Sequence, residues 1–219
     1  MSSNKSKSEV AILEQYRVAL ENVKEQQEIA STMAEFGYTE EVLAEGEVLY
    51  TKTIDAYNNN QSEDDEKLAA YQEFEDAKQN LDQVYRLHRK KAKVVFRKQP
   101  EILEKLGVKG RVPNAYLKWL QNIKKFYSNA VGDTEIESKL ARLKLTTEDL
   151  QEAVGFIAEV EDARATYLRE KGESQDATKV KDEAFNNLDD WMGEFYAVAK
   201  IALDNNLQLL EALGKLVKS

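Results

Sequence analysis

The chain has 219 residues, with 31 Lys plus Arg against 40 Asp plus Glu, a formal net charge of −9 and no cysteine. That length can bury enough surface for one sizeable domain or two small ones, and the missing cysteine excludes disulfides, thiolate nucleophiles, zinc ribbons and iron–sulfur ligation. The acidic balance argues against wholesale attraction to nucleic acid or anionic lipid, and only 9 Gly and 2 Pro favour long helices over turn-rich β architecture.

Residues 1–8 form a polar N-terminal segment without the apolar core of a secretory signal, so a cytoplasmic location is expected. No transmembrane segment is expected either, because no run approaches the ~20 apolar residues needed to span a bilayer. Leu13, Tyr16, Leu20, Val23, Ala30 and Met33 fall on one stripe and predict a helix from about residue 8 to 36. After Gly37, Thr39 as N-cap with Glu40 and Glu41 in the first turn predicts a second helix to about Tyr57. The stretch NNNQSEDDE (58–66) is rich in turn formers and acids and predicts a break. Beyond it, Phe74, Ala77, Leu81, Val84, His88, Ala92 and Val95 extend a third stripe over roughly 63–98. Pro100 suits the first turn of a short helix that Gly107 and Gly110 end, and GVKGRVP (107–113) is the expected boundary between halves.

The second half replays the first. EDAKQNLD (75–82) returns as DEAFNNLD (182–189), and ILEKLG (102–107) as LLEALG (209–214). YLKWLQNIK (116–124) resembles YRVALENVK (16–24) at an offset of about 100, and TTEDLQEA (146–153) resembles YTEEVLAE (38–45) at about 108. GDTEIESKLARL (132–143) then reads as an inserted short helix capped by Asp133, and KGESQD (171–176) as the later hairpin. The expected fold is all-α, an elongated antiparallel helical bundle of two tandem, similar three-helix units. The first repeat covers 9–107, a connecting segment 108–113 and the second repeat 114–219. TEEVLAEG (39–46) with ILEKLG, and TTEDLQEA with LLEALG, resemble uncharacterised bacterial duplicated helical-bundle proteins. The resemblance implies a helical bundle and implies no reaction.

Few constellations suggest chemistry. A di-iron bundle needs paired Glu-x-x-His motifs, whereas this chain has one histidine, with Tyr85 three residues before it. No metal site or cofactor is expected. His88 lies on the third stripe with Phe195 as its counterpart, which suits core packing better than base catalysis. Neither a phosphate-cradling glycine loop nor a nucleophile elbow occurs. Gly46 and Gly155, inside helices, suggest close helix approach. Asn80 and Asn187 suggest buried register-setting hydrogen bonds.

The sharpest local signal is RLHRKKAKVVFRK (86–98), basic throughout and without an acid, where its counterpart GEFYAVAKIALDN (193–205) is not basic. Arg86, Lys90, Lys93 and Arg97 share a helix face opposite the apolar stripe. Arg86, Arg89, Lys90, Lys93 and Arg97 are therefore the candidate binding residues. Exposure to solvent, or neutralisation of the chain's own acidic helices, is the plain explanation for them. A protein partner comes next, and nucleic acid or another anionic surface is the alternative. The expected function is a non-enzymatic structural or protein-interaction bundle that binds a partner, self-associates or joins a larger assembly.

Overall fold

A computed structural model describes residues 8–214, which form eight helices and no strand among the described residues. The all-α class stands, and no described helix is long and apolar enough to cross a membrane. Residues 1–7 of the polar N-terminal segment lie outside the described residues.

Helix α1 (Glu9–Glu25) is started by the Ser8 side chain, which accepts from the Ala11 N–H, and buries Leu13, Ala19, Leu20 and Val23. It stops at Gln26, whose backbone turns extended (φ −95°, ψ 100°), and α2 (Gln27–Glu35) follows at once. The expected single helix over 8–36 is thus two. Nothing in Glu25-Gln26-Gln27 is a helix breaker, so the bend carries no composition signal.

Two helices of 56 residues dominate the chain: α3 (Glu40–Val95) and α7 (Thr147–Ala202). α3 continues through 58–66 and α7 through 171–176, where hairpins were expected. The reason is visible in the polar side chains there. Asn60 Nδ2 donates to Thr178 Oγ1 (3.1 Å), Ser174 Oγ donates to Asp64 Oδ1 (2.7 Å), and Thr53 Oγ1 donates to the Ala184 carbonyl (3.1 Å). Thr53, Asn60 and Ser174 are buried. Polar residues that read as loop formers therefore satisfy one another between two helices, as buried polar groups must. Partners on α7 fall in number as those on α3 rise. Each half supplies one long helix in place of the expected hairpin.

The remaining helices are α4 (Pro100–Lys105), α5 (Tyr116–Ala130), α6 (Thr134–Ala141) and α8 (Gln208–Ala212). Two compact units result, and they do not follow the expected division at 9–107 and 114–219. One unit holds the chain up to Asp64 and again from Glu173, and the other holds Asp65–Gly172. The first has a core built from α1, α2, the start of α3, the end of α7 and α8, including Leu20, Met33, Leu188, Phe195 and Leu213. The second has a core from the end of α3, α4, α5, α6 and the start of α7, including Leu81, Phe96, Leu120, Phe126 and Leu150. The expected connecting segment 108–113 is not a free linker, since Val108 is buried in that second core.

Elements recur at one spacing. α5, α6 and α7 each begin 107 positions after α1, α2 and α3. Leu13, Ala19, Leu20 and Val23 are buried, and so are Leu120, Phe126, Tyr127 and Ala130 at that spacing. The helix over 134–141 is consequently the counterpart of α2. The expected insertion at 132–143, and the offsets of about 100 and 108, are corrected by this register.

Candidate interaction surface

The basic run lies at the end of α3, in the second unit, where the core stripe of Leu81, Tyr85, His88, Ala92 and Phe96 leaves the other face to the cations. Three of them are engaged within the chain. Arg86 Nε donates to Asp82 Oδ2 one turn earlier. Arg89 Nη2 donates to the carbonyls of Val108 (3.0 Å) and Gly110 (2.6 Å), tying down the turn after α4. Lys91 Nζ donates to the Lys144 carbonyl (2.8 Å), holding the α6–α7 connection, where Lys144 is left-handed at φ 53°. Tyr196, 107 positions after Arg89, likewise donates to the Leu213 carbonyl (3.1 Å) behind α8. Arg89 is therefore a structural clamp whose place a tyrosine takes in the first unit.

Lys90 and Arg97 are exposed and pair with no acid among the described residues. Lys93 is half-buried, and loss of hydration, with repulsion from Arg89 as the second cause, pushes its ammonium below the usual lysine range. Arg97 opens onto a cleft of about 330 Å³ lined by Val94, Val95, Arg97, Lys98, Gln99, Arg142 and Leu143. No acid lines it. A cleft along α3 and α5 contains Glu75, Asp76 and Asp82 beside its cations, and one between α3 and α7 in the first unit contains Asp55 and Glu183 beside Lys52. The Arg97 cleft is thus distinguished by single-signed charge in a lining that also holds Val94, Val95 and Leu143.

Of the five residues expected to bind, Arg97 lines this cleft from the turn that follows α3, while Lys93 and Lys90 lie about one and two turns earlier, on α3 itself. Arg86 and Arg89 are committed elsewhere. Lys98 and Arg142 line the cleft as well, although charge spacing on one helix does not single them out. Arg142 caps the C-terminus of α6, 45 residues from Arg97, and the expected insertion hid the comparison of Arg142 with Glu35 that would have exposed it.

His88 is buried, its Nδ1 shares a hydrogen bond of 3.0 Å with Tyr127 Oη, and the two rings meet edge-on. Desolvation, then the charge of Lys91, lowers its pKa to about 4 against a smaller opposing effect of Asp149. It is a neutral core group at physiological pH. Asn80 and Asn187 are exposed, whereas Thr53 and Asn60 are the buried side chains that hydrogen-bond from α3 to α7. Gly46 meets the close-approach expectation, since a Cβ there would lie 2.4 Å from the Trp191 ring, whereas Gly155 has nothing within 4 Å.

Comparison with family models, with curated proteins and with solved structures finds no match to this chain.

Proposed function

We propose that this chain is a non-enzymatic structural or protein-interaction bundle, arisen by internal duplication, that binds a polypeptide through the basic surface of its second unit. The constant spacing of 107 between matching helices supports the duplication. One observation carries the binding reading: Arg97, Lys98 and Arg142 line one cleft together with Val94, Val95 and Leu143 and pair with no acid among the described residues. Lysine and arginine stems over exposed aliphatic groups suit an acidic polypeptide carrying apolar side chains. Bases would want aromatic platforms, and none lines the cleft. The lack of cysteine and the burial of the one histidine support a role without catalysis.

The test is photo-crosslinking from residue 94 in an extract of the source cells. Polypeptide adducts that disappear on Arg97→Glu with Arg142→Glu are expected. Adducts with nucleic acid only, or polypeptide adducts indifferent to the charge reversal, would contradict the reading.

A further inference from the structure

The positions that build the basic cleft have counterparts in the first unit that share helix-end hydrogen bonds and differ in charge. At the α6 end, Leu143 N–H bonds Leu140 O, Lys144 N–H bonds Ala141 O and Leu145 N–H bonds Leu140 O. At the α2 end, Phe36, Gly37 and Tyr38 make the same three bonds to Met33, Ala34 and Met33. After the long helices, Gln99 N–H bonds Phe96 O, and Asn206 N–H bonds Leu203 O. Every one of these pairs is 107 apart, so position matches position.

At the matched positions bulky apolar groups are kept, and the charge reverses at two of the three cleft cations. Val94 is 56% exposed and Ile201 64%, and Leu143 is 37% exposed and Phe36 48%. Arg142 faces a counterpart Glu35, Arg97 a counterpart Asp204, and Lys98 a neutral Asn205. Glu35 and Asp204 are exposed and, like the cations, pair with no opposite charge among the described residues. A chain of net charge −9 thus carries a local cationic surface and, at the matched positions of its first unit, two exposed acids, in both places beside bulky apolar groups left in water.

We propose that the occupant of the basic cleft is a second copy of this chain, docked through its Glu35, Phe36, Ile201 and Asp204. This rests on the interaction reading above and names its partner. Cation would meet carboxylate while Leu143 and Val94 meet Phe36 and Ile201, complementing both charge and hydrophobicity. The contact is heterologous, because the two faces differ: each docked copy still offers one unused face, so association proceeds beyond a dimer or closes into a ring.

The experiment is sedimentation velocity on purified full-length protein up to about 1 mM, because exposed ion pairs are individually weak. Four samples are compared: parent, Arg97→Glu/Arg142→Glu, Glu35→Lys/Asp204→Lys, and a one-to-one mixture of the two variants. The parent is expected to associate, each variant alone to stay monomeric because like charges now meet, and the mixture to associate again. Recovery in the mixture also shows that both variants are folded, and a variant carrying all four changes should associate by itself. A parent that stays monomeric, a variant that associates as the parent does, or a mixture and four-fold variant that remain monomeric would each overturn the proposal. If the parent stays monomeric while residue 94 still crosslinks a different polypeptide in a charge-dependent way, self-association falls and the interaction reading stands. If neither occurs, both fall.

Discussion

Gly46 and Gly155 look alike in the sequence, each a glycine in the second or third turn of a long helix, yet their surroundings divide them. The Trp191 ring that would meet a Cβ at position 46 is stacked on Phe195 at 5.6 Å and set edge-on to Tyr38 at 5.7 Å, so it has little freedom to retreat. Gly46→Ala should lose about 1–2 kcal/mol in urea denaturation, overpacking exceeding the gain in helix propensity. Gly155→Ala should gain about 0.5–1 kcal/mol, since only the propensity and chain-entropy terms act. Spacing cannot tell two such glycines apart, because the difference is a tryptophan distant in the chain. His88 was better legible, its stripe position and its Phe195 counterpart both indicating a core site. With a folded pKa of about 4 against about 6.5 unfolded, the unfolded chain takes up a proton that the folded chain refuses. Stability is therefore retained above about pH 6.5 and lost as pH falls towards 4, on the order of 2 kcal/mol after allowance for solvent screening. His88→Phe should flatten that window in denaturation midpoints measured from pH 4 to 7. Loss of the Tyr127 partner lowers stability in this variant at every pH, so the slope is the diagnostic quantity.

At the scale of elements, helix type and most helix starts were legible and continuity was not. Thr39 and Thr146 stand before α3 and α7, and at the latter Thr146 and Asp149 cap each other reciprocally, each backbone N–H donating to the other's side chain. The stops were misread because Asn, Ser and Asp favour turns when their side chains compete for the backbone. In this fold those side chains instead have partners on the facing helix, as Asn60 does at Thr178, and a tertiary partner is invisible to local pattern. Asn59, exposed beside Asn60, provides the check. Asn59→Pro should cost about 3 kcal/mol or more if the helix is continuous there, measured by urea denaturation. A change within about 0.5 kcal/mol, the usual range for exposed positions, would restore the hairpin.

At the scale of the whole molecule, the repeated motifs were legible, but the misread bend at Gln26 displaced their alignment and with it the most informative comparison in the chain. Once α2 is matched to α6, Arg142 stands against Glu35 and Arg97 against Asp204. The basic run alone suggested Arg86 and Arg89 as binding residues. Their short-range and cross-element bonds to Asp82, Val108 and Gly110 could not be read from charge spacing, and they leave Arg97, joined by Lys98 and Arg142, as the residues at the cleft. Whether matched surfaces of opposite charge join copies of the chain is tested most directly by the light-scattering mass of the purified parent across concentration at low and high salt. A mass that climbs above the 25.0 kDa of one chain as concentration rises, and returns to it at high salt as exposed charges are screened, is the predicted result. A mass fixed at one chain throughout would contradict it.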